Sequence, residues 1–181
     1  MRLPLSTGVL LLSLTLSSSM SFAADWPVWR GPDRNGISSE TGWSHDWPPE
    51  GPRVLWKAGI GTGFSSVVVA DGRAFTMGWS EDQDTVHALD AVTGAPVWTF
   101  RYPEPLGNKM YEGGPNSTPT VLGGRVVTVS RTGKVHALDA ASGQVVWTAN
   151  LKSAIGATLS DWGVSAAPVL AAPDTLLINY G

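Results

Sequence analysis

The sequence predicts an all-β protein built from repeated four-stranded antiparallel sheets, and three observations predict it. Two segments, Ala88 to Trp98 (ALDAVTGAPVW) and Ala137 to Trp147 (ALDAASGQVVW), share the pattern A-L-D-A-x-[ST]-G-x-x-V-W, 49 residues apart (137 − 88 = 49). Strand-type runs joined by Asp71-Gly72 and Gly123-Gly124 precede the two copies, and such dipeptides mark tight hairpins. Gly63, Gly114 and Gly163 recur with offsets of 51 and 49. A period of about 50 residues is that of one blade of a β-propeller, whose sheets stack radially about an axis.

The chain opens with Arg2, an apolar run from Val9 to Leu16 and then Ser21-Phe22-Ala23. That order reads as a secretory signal peptide cut after Ala23, which places the protein in an exported, periplasmic or extracellular, compartment. A membrane anchor needs about 20 apolar residues, and this run is broken by Ser13 and by Ser17 to Ser19. There is no cysteine, so neither a disulfide framework nor a lipid-modified cysteine is available. The remaining 158 residues (181 − 23) carry 11 basic against 15 acidic groups and no basic run. That balance argues against a nucleic-acid or anionic-membrane surface.

Residues 24–52 read as an irregular arm, rich in Pro, Gly and Trp and lacking both helical and alternating periodicity. Trp26, Trp29, Trp43 and Trp47 are expected to dock along the flank or rim of the repeats, since left exposed they favour aggregation. Residues 53–181 read as the propeller part, with blades at about 64–101 and 117–151 and an incomplete one at 165–181. Val54 to Lys57 is expected to be a stray outer strand, with Trp56 in the place that Trp98 and Trp147 take later. Phe64–Ala70 pairs with Arg73–Met77, and Thr118–Leu122 with Arg125–Ser130. Val169–Leu170 and Leu176–Asn179 begin the same hairpin a third time across Ala171 to Thr175. The strands are apolar almost without alternation, so both sheet faces should be covered. Two complete blades, a stray strand and half a blade cannot close a ring of four to eight, so the expectation is an N-terminal fragment of a longer protein.

The repeated hairpin is specified chemically. Val86–Leu89 and Val135–Leu138 pair with Pro96–Phe100 and Val145–Thr148. Asp90 and Asp139 can accept bonds from the turn amides, and Gly94 and Gly143 can take a positive φ. Trp98 and Trp147 recur beyond the turn, as needed if one large ring fills each gap between sheets.

These residues resemble a known family. The hairpin A-x-D-x-x-[ST]-G-x-x-x-W is similar to the tryptophan-docking repeat of the pyrroloquinoline quinone (PQQ) type β-propellers. The arm Trp26-Pro27-x-Trp29-Arg30-Gly31-Pro32-x-Arg34-Asn35-Gly36 resembles the start of a secreted subgroup, and the likeness covers Trp26 to Gly181. It implies either of two kinds of activity: non-catalytic scaffolds such as the propeller lipoprotein of the outer-membrane barrel-assembly machinery, or calcium- and PQQ-dependent dehydrogenases of alcohols and sugars. The alcohol dehydrogenases carry a vicinal cysteine pair and a catalytic aspartate in a later blade. This chain has no cysteine and no matching region for that aspartate, so no catalytic residue is carried over.

A site is expected on the rim that holds the long interblade connections, because function concentrates in long loops on rigid scaffolds. The first connection contains Lys109, Tyr111, Glu112 and Asn116, and the second Asp161 and Trp162. Glu112, Asn116 and Asp161 are oxygen donors of the kind calcium takes, and Trp162 can stack on a flat ligand. The competing reading is ordinary solvation and capping in loops. Gly59 to Phe64 (GIGTGF) lacks the spacing of a dinucleotide loop and leads into strand. His87 and His136 occupy equivalent repeat positions, which points to structure over chemistry, and Asn116-Ser117-Thr118 is a glycosylation sequon. The functional expectation is a binding or assembly scaffold engaging a protein or small molecule at the rim. A PQQ- and calcium-dependent dehydrogenase is the alternative, and a carbohydrate-binding propeller, suggested only by the tryptophans, the third.

Overall fold

The computed structural model describes residues 24–107, 111–156, 158–172 and 175–180. The expected signal peptide and Lys109 lie outside them. No helix among the described residues is long and apolar enough to cross a membrane.

The first sheet contains β1 (Val68–Ala70), β2 (Arg73–Ser80), β3 (Gln83–Asp90) and β4 (Pro96–Pro103), hydrogen-bonded in that order. The second repeats it with β5 (Thr120–Leu122), β6 (Arg125–Val129), β7 (Lys134–Asp139) and β8 (Val145–Asn150). A helix, α1 (Leu151–Ile155), follows, and then β9 (Val169–Ala172) and β10 (Thr175–Leu177) form a two-stranded sheet. All pairings are antiparallel, and the architecture is the expected one of two four-stranded blades and the opening half of a third. Registers repeat as well. Ala88 faces Trp98 and Ala137 faces Trp147, and a bulge follows each alanine.

Several boundaries differ from the sequence expectation. Val54 to Lys57 lies outside the three sheets, because a strand needs a neighbour to complete its ladder and none stands beside it among the described residues. β1 and β5 begin late because the residues before them bond across to the other blade. The Phe64 amide donates to the Pro115 carbonyl (2.8 Å), and the Ser66 amide to the Thr118 hydroxyl (3.4 Å). Helix α1 stands inside what the sequence suggests is loop. Its N-cap Asn150 accepts the Ser153 amide at 3.3 Å, and Gly156 closes it in the left-handed region.

The two Asp-Gly turns match almost atom for atom. Asp90 Oδ1 accepts from the amides of Val92 (3.1 Å) and Thr93 (2.8 Å) and from the Thr93 hydroxyl (2.8 Å). Asp139 Oδ1 accepts from Ala141 (3.2 Å) and Ser142 (2.8 Å) and from the Ser142 hydroxyl (2.7 Å). The hydroxyl and amide bonds hold both carboxyls below their ordinary range. Gly94 and Gly143 sit at φ +72° and +73°, and each carries the indole of the preceding unit where a Cβ would stand. A Cβ at Gly94 would lie 2.5 Å from Trp56, and one at Gly143 2.7 Å from Trp98. Each indole N–H completes the dock by donating to the carbonyl after the aspartate: Trp56 to Ala91 at 3.1 Å, Trp98 to Ala140 at 3.0 Å.

Trp147 departs from this pattern. It is 37% exposed, every residue of β8 is exposed, and no turn glycine among the described residues lies under its ring. The expectation that both faces of every strand are covered therefore fails at the outer strands and holds inside. Val68, Phe75 and Ala88 of the first blade pack with Val121, Val126 and Ala140 of the second under Trp98. Val129 and Val135 pack with Val164 and Tyr180 toward the third sheet.

The arm crosses the inner strands instead of lying along the flank. Trp26 exchanges both backbone bonds with Val69 of β1, and the Val121 amide of β5 donates to the Pro27 carbonyl at 2.8 Å. Trp26 is half-buried and Val28 buried, but Trp29, Trp43 and Trp47 are 54%, 72% and 61% exposed. The docking expected of four rings is therefore met by one.

Candidate functional site

Antiparallel order puts the two Asp-Gly turns at one end of the blades, and the β2–β3 and β6–β7 turns and the interblade connections at the other. At that second end Arg131, in the β6–β7 turn and 7% exposed, ties both connections together. Its Nε donates to the Tyr111 hydroxyl of the first connection (3.0 Å), and its Nη2 donates to the Asp161 carbonyl of the second. The guanidinium also lies over the Tyr111 ring, 5.9 Å from the centroid. The chain can pass this close only as glycine: a Cβ at Gly107 would stand 2.3 Å from Arg131 Nη1, and one at Gly163 2.4 Å from its Cγ.

Around this clip the predicted residues converge. The Asn116 amide nitrogen donates to the Tyr111 hydroxyl (2.8 Å) and the Trp162 carbonyl (3.1 Å), and Tyr111 donates to the same carbonyl (3.2 Å). Tyr111 and Trp162 stack with centroids 5.7 Å apart and planes 15° from parallel, and Phe64 meets Tyr111 edge-on at 5.4 Å. Asn116, Asp161 and Trp162 are thus brought together, while Glu112 is exposed and takes no part in these bonds. The pairing of Asn116 with its neighbours gives the sequon a structural use. Arg131 was invisible to sequence reasoning, because an arginine in a tight turn reads as a solvated one.

The clip borders a cleft of about 480 Å³ where the inner strands begin. Trp29 and Arg34 come from the arm, Phe64 and Ser66 from the approach to β1, Asn116 and Thr118 from the approach to β5. Ser165 to Val169 of the third unit close the far side. Arg34 is the one ionisable side chain among the lining residues, so the cleft pairs a cation with aromatic faces, hydroxyls and an amide.

No group of three or more His, Cys, Asp or Glu side chains among the described residues is arranged to hold a metal ion. The Arg131 guanidinium already sits on the Asp161 carbonyl, and a divalent cation at the same place meets that positive charge. His136 is buried, which pushes its pKa down to about 4, and its ring lies 4.1 Å from that of Tyr102. His87 is half-buried and likewise lowered by burial.

Arg131→Ala is expected to release both connections together. Fluorescence of the protein should shift as the Trp162 stack is lost, and proteolysis should open 104–116 and 156–163, while Arg131→Lys, lacking the planar fork, should restore little.

The family described as outer membrane protein assembly factor BamB matches residues 37–180. The chain belongs to this family. No curated protein matches it. Among solved structures, quinohemoprotein alcohol dehydrogenase ADHIIG from Pseudomonas putida HK5 is similar with TM-score 0.52 and 22% identity, over 70% of this chain and 18% of that one. BamB from Moraxella catarrhalis is similar with TM-score 0.36 and 24% identity over 46% and 22% of the two chains. Quinohemoprotein alcohol dehydrogenase from Comamonas testosteroni gives 0.44 and 27% over 61% and 15%. The chain spans less than a quarter of the length of each of these structures, and the Pseudomonas likeness shows the shared blade fold of this BamB-type chain.

Proposed function

We propose that this chain is part of an exported PQQ-repeat propeller that works as a binding or assembly scaffold, holding a protein or small-molecule partner at the interblade rim. The observation that carries the reading is the pair of long connections clipped by Arg131 beside a cleft of about 480 Å³. Rigid scaffolds display binding residues on such loops, and a concave, partly apolar site with a few polar groups is what ligands need. Membership of a family described as an outer membrane assembly factor supports a protein partner. The order of charge and apolar residues in Met1 to Ala23 supports export.

The test uses photo-crosslinking residues placed at Arg34 and Ser165 in the cleft, and at Val92 on the opposite end as control, in the full-length protein within its native host. Adducts with one discrete species at the two cleft positions and none at Val92 support the scaffold. Equal labelling at all three, or none, sinks it. Adding PQQ and calcium to the purified full-length protein separates the dehydrogenase alternative, for which a quinone absorbance change and dye reduction with alcohols would speak.

A further inference from the structure

A second cluster lies at the same end of the molecule, buried in the seam between the first two blades. Asp84, at the start of β3, is 1% exposed; its Oδ2 accepts the Tyr102 hydroxyl at 3.2 Å and its Oδ1 has no hydrogen-bond partner. Glu104, 2% exposed, reaches from the first blade to the second. It accepts the Thr132 amide at Oε1 (3.0 Å) and pairs with Lys134 Nζ at Oε2 (3.0 Å). Lys134 also donates to the Pro103 carbonyl, and the Trp79 indole N–H fixes the Glu104 carbonyl at 2.8 Å. Thr132 stands next to Arg131, so the Glu104 tie and the loop clip share one turn.

Ladder register sets Asp84 opposite Tyr102, and the Glu104 amide two residues on donates to the Asp82 carbonyl (3.0 Å), so two buried carboxyls stand close in the seam while the ammonium of Lys134 pairs with Glu104. The other titratable groups do not supply a second cation. His136 of β7, against Tyr102, is lowered to about 4, and Tyr102 is raised by burial, then by Asp84 and Glu104, so both are neutral at ordinary pH. His87 of β3 is lowered by burial. Glu81 and Asp82 in the preceding turn are exposed and acidic, and the Arg131 guanidinium is turned to Tyr111 and Asp161.

We propose that Asp84 is a pH-operated latch: with its proton on, it leaves Glu104 to hold the β6–β7 turn against the first blade, and with its proton off, it loosens that turn and the rim loops clipped to it. The inference goes beyond the binding reading and is independent of what the cleft holds. Burial, and then the charge of Glu104, push the Asp84 carboxyl from 3.8 up to about 7. A carboxyl raised on folding favours the closed state at low pH, and that support is lost as pH rises through about 7. The latch thus opens on the alkaline side.

Hydrogen exchange of the full chain, followed by mass spectrometry at pH 5.5 and 8.5 and corrected for the base-catalysed intrinsic rate, reads the opening directly. The opening constant of peptides spanning 104–107 and 130–134 is expected to rise roughly 30-fold over that range, while the Asp90 turn at the opposite end stays level. Asp84→Asn, which keeps an acceptor for Tyr102 and cannot ionise, should flatten the rise. Glu104→Gln gives a second reading, since removing the neighbouring charge should shrink the rise and end it at lower pH. A level profile in the unaltered protein, the same profile in Asp84→Asn, or an unchanged one in Glu104→Gln overturns the latch.

Discussion

Trp98→Ala is expected to lower stability by about 3–5 kcal/mol, the usual loss for a large core aromatic, while Trp147→Ala in the same chain changes it by less than about 1 kcal/mol. The two tryptophans are identical in repeat position and differ in what lies above them. Trp98 packs with buried residues of both blades, stacks obliquely with Phe75 at 5.8 Å and donates to Ala140. Trp147 lies opposite Ala137 of β7, belongs to none of the core clusters among the described residues and remains 37% exposed. Denaturant titration of the two variants beside the unaltered chain gives the comparison. Equal losses would mean that the gap between blades is not what the indole stabilises.

The Glu104–Lys134 pair should show the next largest effect. Lys134→Met leaves a carboxylate in the seam with the Thr132 amide as its remaining hydrogen-bond donor, and breaking a buried pair from one side costs about 3–5 kcal/mol. The lower end applies here, because the lysine side chain is 34% exposed while the glutamate is 1% exposed. Combining Lys134→Met with Glu104→Gln should recover much of the loss, since the stranded charge is then gone. A thermodynamic cycle at pH 6 measures the coupling. If the double variant is as unstable as the sum of the singles, the two side chains do not act as a pair.

The parts of the fold that could be read in the sequence are those the repeat duplicates. Asp90 and Asp139, Gly94 and Gly143 specify their turns locally, Trp56 and Trp98 dock on those turns, and the structure reproduces the registers. What escaped reading lies in residues that have no repeat counterpart. Asp84 falls opposite Gly133 and Glu104 opposite Ser153 at a spacing of 49 (84 + 49 = 133; 104 + 49 = 153), so no pattern drew attention to either. Helix α1 did leave a signal, with Asn150 three residues before Ser153 and Gly156 beyond, but a five-residue helix has too little apolar periodicity to show. Of the rim residues, Asn116, Asp161 and Trp162 meet because Arg131 gathers them, and a contact between segments some 20 to 50 residues apart leaves no trace in local spacing.

The crossing of the arm over β1 and β5 has a bearing on how the chain assembles. Pro27 emerges from the ribosome 94 residues ahead of Val121 (121 − 27 = 94), to whose amide it is bonded. That bond closes a long loop with a matching entropic penalty, so the arm waits, unanchored to its second strand, until the next blade has been synthesised. Its indoles therefore stay uncovered through the synthesis of a whole blade, and Trp29, Trp43 and Trp47 remain exposed after the arm is seated, which makes this segment the one most open to self-association while the chain is being made.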